Sequence, residues 1–169
     1  DPARIDRSEW SIFRYRDFMA VDGDVWRSVT MGEGMTPVIE MDGRNGVLLK
    51  MDYAMPTLSF KDRGAATLVS HMLAIGVRTC VQDSSGNAGN SVAAYAARAG
   101  IACEIYVPEG TSPKKITMIE SHGAKVHVVP HCADVCRAQV AERGAYYANH
   151  VYNPYFYEGV NNPCLKAEA

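Results

Sequence analysis

The chain reads as an α/β protein: an open parallel sheet with helices on both faces, preceded by an N-terminal arm. Two observations carry this reading. From Lys61 onward, short apolar runs alternate with helical stretches across short connections, and such alternation builds a parallel sheet covered by helices. The punctuation is regular as well. Gly76, Gly100 and Gly123 each end a helical stretch just before the next apolar run, where a helix stop belongs.

Each element follows in order. Trp10, Phe13, Tyr15 and Phe18 are spaced like one face of a short helix, which predicts an arm packing on the body or on a second subunit. The segment Gly32-Glu33-Gly34-Met35-Thr36-Pro37 is turn-rich, and a strand is expected over 38–41. Asp42-Gly43 and Asn45-Gly46 then signal a hairpin into a second strand over 46–51. Beyond it come a helix over 62–75, a strand over 77–82, an Ala-rich helix over 90–99 and a strand over 101–107. A helix over 112–122 takes Ser112 as N-cap and Pro113 at its first position. A strand over 125–129, a helix over 133–143 and a strand over 145–149 complete the pattern.

Composition excludes several classes. With 169 residues, 47% apolar and 21% charged, the chain has the make-up of a globular protein able to bury a core. A net charge of −2 gives no electrostatic basis for binding nucleic acid or a membrane surface. No apolar run approaches the roughly 18 residues that span a bilayer, and the sequence shows no signal or transit peptide. It begins at Asp1 rather than Met, which suggests trimming or partial observation. Five cysteines are an odd number, favouring reduced thiols in a reducing compartment, hence the cytoplasm. Cys80 and Cys103 fall in strand-like runs and read as small core residues. Cys132 and Cys136, with His127 and His131 nearby, lack the spacings of a zinc site, so no metal is expected.

Two motifs carry chemistry. The first is Ser59-Phe60-Lys61-Asp62-Arg63-Gly64. A nucleophilic lysine must be desolvated or set against positive potential. A helix N-terminus supplies that potential, and Lys61 stands where a helix would begin, with Ser59-Phe60 before it to keep water out. Asp62 and Arg63 are read as pairing with each other or capping the helix. The second motif is Asp83-Ser84-Ser85-Gly86-Asn87-Ala88-Gly89-Asn90, which follows a strand and opens a helix. Open α/β sheets bind ligands at this end of their strands. Gly86 and Gly89 would let backbone approach a ligand and adopt positive φ. Helix-start N–H groups with the Ser84 and Ser85 hydroxyls would cradle an anion. A dinucleotide loop is the rival reading, but GxGxxG is absent.

These motifs, with Gly32-Glu33-Gly34-x-Thr36-Pro37 and the arm from Trp10 to Tyr15-Arg16-Asp17, resemble the threonine synthases, a branch of the tryptophan-synthase-β-like (fold type II) pyridoxal-phosphate enzymes. The likeness runs from about residue 10 to Gly159. It implies a lyase of amino-acid biosynthesis that uses pyridoxal 5′-phosphate, eliminates phosphate from O-phospho-L-homoserine and adds water at Cβ to give L-threonine. Lys61 would bind the cofactor aldehyde covalently and move protons among the substrate Cα, Cβ and Cγ. Asn87 would hydrogen-bond the cofactor's 3′-oxygen. Ser84, Ser85, Asn87, Ala88 and Gly89 would hold the substrate and its α-carboxylate. The resemblance further implies a small-molecule amino-acid substrate and a homodimer for the full-length enzyme. Threonine dehydratase and cysteate-synthase-like enzymes are the alternatives within the family, and a non-catalytic fragment is the alternative outside it.

The resemblance also divides the chain. Residues 1–50 would be an arm and the first strands of a large domain, 51–150 the small α/β domain with the lysine and the Asn loop, and 151–169 the start of a return to the large domain. In this family the glycine-rich loop for the cofactor phosphate, and the Ser or Thr at the pyridine nitrogen, lie in the second half of the chain. Neither is found in residues 90–169, so the chain reads as an N-terminal half, inactive by itself. Asn153-Pro154-Tyr155-Phe156-Tyr157-Glu158-Gly159 resembles the family's Asn-Pro-…-Glu-Gly segment, but Phe156 stands where some relatives carry a phosphate-binding arginine. After it a basic residue and a helix start are expected, and Val160-Asn161-Asn162-Pro163-Cys164 departs from that. Lys114, Lys115 and Arg98 are read as solvated helix faces rather than phosphate ligands.

Overall fold

The computed structural model describes residues 1–21 and 23–161; the tail from Asn162, on which the sequence departs from the family pattern, lies outside them. Four parallel strands form the main sheet in the order β5-β4-β3-β6, with β3 at Thr79–Gln82, β4 at Ala102–Val107, β5 at Lys125–Val128 and β6 at Tyr146–Tyr147. Helix α1 (Lys61–Ala74) precedes β3, α2 (Asn87–Arg98), α3 (Pro113–Glu120) and α4 (Cys132–Arg143) connect the successive strands, and α5 (Pro154–Val160) follows β6.

Strand alternation sends side chains to two cores. Cys80 of β3 and Cys103, Ile105 and Val107 of β4 pack with α1, α2 and Ile119 of α3. Val81, Tyr106 and Ala145 pack with Cys136 of α4 on the other face. The period of two thus separates neighbours in sequence into opposite layers. Helices do cover both faces, and Cys80 and Cys103 are buried core thiols.

Helix α1 is buried on nearly every side, Asp62 through Ser70 being without appreciable exposure. A helix in that position is central rather than amphipathic. It is flanked by α2, by α5 and by the arm, whose Ile12, Phe13, Trp26 and Val29 share its core. The arm forms 3₁₀ turns at Ile12–Phe18 and Val25–Ser28, and Phe13 stacks on Trp26 with ring centroids 5.0 Å apart. Its aromatic face is narrower than the spacing suggested. Phe13 and Tyr15 are buried while Trp10 and Phe18 face outward; Trp10 precedes the 3₁₀ segment and Phe18 is its last residue, so neither is carried onto the face that packs on the body.

Strands β1 (Val38–Glu40) and β2 (Leu48–Lys50) pair antiparallel with Ile39 opposite Leu49, apart from the main sheet. Gly43 and Gly46 both take positive φ in the connecting loop, as the hairpin signal required. Helix α5 begins at Pro154, ahead of the stretch after Gly159 where the resemblance implied a helix start. Asn153 caps it by accepting the Tyr155 N–H at 3.1 Å, and Pro154 occupies the first position. That Asn-Pro pair was a readable start signal.

Candidate functional site

Lys61 is the first residue of α1, and its amide N–H donates to Ser59 Oγ at 3.2 Å. The Lys61 Nζ lies 4.6 Å from the Phe60 ring centroid and 5.9 Å from that of Phe156 on α5. Phe60 itself is partly exposed, so it is a face for the amine rather than a seal against water.

Asp62 and Arg63 neither pair with each other nor cap α1, as the sequence had suggested. Both side chains are fully buried and reach in different directions. Asp62 accepts the Thr57 N–H at 2.7 Å and also the Thr57 hydroxyl, and that hydroxyl lies 2.9 Å from Ser91 Oγ of α2. Arg63 forms a two-pronged pair with Asp52, each N–O distance 3.0 Å, and donates to the Gly34 carbonyl at 3.2 Å. Burial pushes the Asp52 carboxyl up, but the Arg63 guanidinium and the Thr36 hydroxyl outweigh it and hold it below the usual range. Thr57 and Ser59 are both fixed, and Leu58 between them is left at φ 63, a left-handed conformation that costs a leucine about 1 kcal/mol.

The second motif closes on the same side. Its loop leaves the carboxyl end of β3 and enters α2 at Asn87, a turn earlier than expected, with Gly86 as the residue before the helix. The helix's first intrahelical backbone bond runs from Asn90 N–H to the Gly86 carbonyl at 3.1 Å, so the N–H groups of 87–89 stay available to an acceptor. Asn87 is exposed, Ser84 and Ser85 are half-buried, and Ala88 and Gly89 are buried, so the last two offer backbone rather than side chain. Neither Gly86 nor Gly89 has positive φ, contrary to expectation. Gly89 is needed for closeness instead: a Cβ there would sit 1.9 Å from the Ser84 carbonyl oxygen. The turn therefore folds back on the helix end and concentrates its N–H groups.

Thr57, Asp62 and Ser91 thus join the lysine's helix to the asparagine's helix. The α1–α5 contact is equally close, since a Cβ on Gly64 would lie 2.6 Å from the Phe156 ring and one on Gly159 2.1 Å from the Arg63 carbonyl. The residues brought together fit pyridoxal phosphate in part: a lysine amine for its aldehyde, an exposed carboxamide, and a backbone cradle for a carboxylate. Sequence reasoning passed over Thr57 and Ser91, which no motif spacing marks. It also passed over His150, whose ring is edge-on to Phe156 at 5.9 Å. Burial and the Lys61 charge lower the His150 pKa, with Asp83 opposing. Upstream, Glu33 is fully buried and accepts from Tyr95 OH at 2.8 Å, Met31 N–H at 2.9 Å and Thr30 Oγ1 at 3.0 Å. Burial raises its pKa to about 7 against those bonds.

The remaining candidates go elsewhere. His127 stacks on Tyr106 and bonds Glu104 at 2.8 Å, while Cys136 is buried against Val81. Among the described residues no group of three or more His, Cys, Asp or Glu side chains is placed to hold a metal. Lys114, Lys115 and Arg98 are exposed. No helix among the described residues is long and apolar enough to cross a membrane.

The chain is 37% identical to the threonine synthase of Mycobacterium tuberculosis over 158 residues, covering 88% of this chain and 44% of that protein. It is 34% identical to the threonine synthase of Halalkalibacterium halodurans over 164 residues, covering 90% of this chain and 46% of that protein. The chain therefore spans less than half the length of these curated relatives. In fold it is similar to O-ureido-L-serine synthase, with TM-score 0.73 and 21% identity over 86% of this chain and 50% of that one. Escherichia coli diaminopropionate ammonia lyase in apo form gives TM-score 0.68 and 19% identity over 84% of this chain and 50% of that one. The model for the family described as "Pyridoxal-phosphate dependent enzyme" matches residues 29–164, and the chain belongs to that family.

Proposed function

We propose that this chain is the lysine-bearing part of a cytoplasmic, homodimeric pyridoxal-phosphate enzyme converting O-phospho-L-homoserine and water to L-threonine and phosphate. The single observation that carries the reading is the bridge of Asp62, Thr57 and Ser91. It fixes Lys61 at the start of α1 against the N-terminus of α2 and its Ser-Gly-Asn loop. Lys61 would hold the cofactor's aldehyde, and Asn87 its 3′-oxygen. When bound, the cofactor supplies an electron sink for carbanion chemistry.

The chain's own residues do the rest. The N–H groups at 87–89, with Ser84 and Ser85, bind and orient the α-carboxylate. Lys61 Nζ would then be the group that removes a proton at the substrate Cα and returns protons at Cβ and Cγ. The hairpin β1–β2 and the arm would belong to a larger domain completed by the remainder of the enzyme. Its exposed Ile39, Leu48 and Leu49 support this, because a two-stranded sheet is marginal alone.

A second reading has its own support. The phenyl ring of Phe156, rather than a cation, faces Lys61. That favours a substrate whose leaving group is not a phosphate, as for a threonine dehydratase or a cysteate-synthase-like enzyme. Incubating the full-length protein with O-phospho-L-homoserine distinguishes the two. Equal amounts of threonine and phosphate support the first reading. Absence of both, with turnover of L-threonine or another β-substituted amino acid, supports the second.

A further inference from the structure

Resting on the reading of Lys61 above, we propose that His150 is the proton-exchange partner of Lys61, taking up through a bridging water the proton that the lysine ammonium must release. The two side chains flank one ring. Lys61 Nζ is 5.9 Å from the centroid of Phe156, and the His150 imidazole meets the same ring edge-on at 5.9 Å and 66°. His150 sits in the loop between β6 and α5, at the carboxyl end of the sheet where the Ser84–Gly89 loop also lies.

Its Nδ1 is buried and has no hydrogen-bond partner among the described residues. A buried polar atom without a partner is costly, and such atoms are uncommon. The charged groups acting on the ring are Lys61 from α1 and Asp83 from the end of β3, while α5 presents only the uncharged Phe156. Asp83 is held in turn by Asn149 Nδ2 at 3.1 Å, the residue before His150. Burial and the neighbouring ammonium keep the imidazole neutral, so it arrives able to accept.

The transfer balances simply. An N–H bond of the Lys61 ammonium breaks, its electron pair stays on Nζ, and the proton passes to the imidazole. The resulting imidazolium is offset by the Asp83 carboxylate. A lysine must shed this proton before it can attack an aldehyde, while the faces of Phe60 and Phe156 attract the ammonium form. A proton acceptor beside them gives the departing proton a path and so sets the rate of its loss rather than the equilibrium.

The test is the rate at which the full-length protein captures pyridoxal phosphate, followed by the visible absorbance of the lysine-bound cofactor as pH is varied. The expected result is a roughly hundredfold slower capture in H150Q, with the final absorbance retained and one inflection lost from the pH profile. Added imidazole should restore the rate in His150→Ala, which a purely structural role would not allow. Capture at the wild-type rate with an unchanged profile in H150Q would overturn the proposal. A wild-type measurement avoids any folding defect of the variants: the NMR titration of His150 must move when the cofactor occupies Lys61, and an unmoved titration contradicts the coupling. Failure of the wild-type protein to capture any cofactor would instead overturn the reading of Lys61 itself.

Discussion

Asp62 of α1 and Ser91 of α2 meet through one hydroxyl, that of Thr57, which contacts both side chains. Asp62 also takes the Thr57 N–H, so its buried carboxylate is satisfied by a single residue of the loop before Lys61. Asp62→Asn puts an N–H donor in place of one of the two carboxylate oxygens that accept from Thr57 and removes the charge from both bonds. The expected loss is about 2 kcal/mol of unfolding free energy, read by urea denaturation. Cofactor capture should weaken in the same variant, because Lys61 is next to the clamp.

Arg63 and Asp52 form a second tie, between α1 and the segment before it. Arg63 is fully buried while Asp52 is partly exposed, so removing Asp52 strands the guanidinium. Asp52→Ala is expected to cost about 3 to 5 kcal/mol. The double variant with Arg63→Ala should lose distinctly less than the sum of the single losses, since the pair acts as one unit. A double-mutant cycle by chemical denaturation checks it; additive losses would contradict the pairing.

Gly89 is set by distance rather than by backbone conformation. With the Ser84 carbonyl 1.9 Å from where a Cβ would stand, Gly89→Ala must push the loop off the helix end. Overpacking of this kind costs about 1 to 3 kcal/mol. The sharper expectation is functional: affinity for the substrate carboxylate, measured by calorimetry on the full-length protein, should fall by more than the stability does.

Glu33 sets a pH dependence of stability. Its carboxyl titrates near 7 when folded, above its ordinary value of 4.5. The folded state therefore holds this proton more tightly than the unfolded chain. Its contribution is complete below about pH 4.5 and is lost as pH rises through 7. The loss is on the order of 3 kcal/mol for a shift of this size. Unfolding free energy compared between wild type and Glu33→Gln should show the gap between them change across that window. A constant gap would refute the assignment.

Much of this was legible in the sequence, because the signals were local. Strand and helix alternation from Lys61, the glycine stops and the hairpin glycines each follow from backbone preference, and the folded chain keeps them. The arm was harder, since its helical segment runs only over Ile12–Phe18, burying Phe13 and Tyr15 while Trp10 before it and Phe18 at its end stay exposed. Lys61 and the loop at 84–89 stood out through their residue types. What joins them did not. Thr57, Ser91 and His150 become neighbours of the site only through tertiary packing, and no spacing along the chain connects residue 57 to residue 91. The partners of Asp62 and Arg63 were misread for the same reason: adjacent residues on a buried helix point to different elements. Gly89 was recognised as special for close approach to a ligand and for a positive φ; it lacks that φ, and the close approach the structure shows is to the Ser84 carbonyl.

The most direct test of the central claim is to add pyridoxal phosphate to the full-length protein, reduce with borohydride and map the modified peptide by mass spectrometry. The account predicts a visible absorbance band before reduction and the cofactor's mass fixed on Lys61, both absent in Lys61→Ala. Label on any other lysine, or a band that persists in Lys61→Ala, would contradict it.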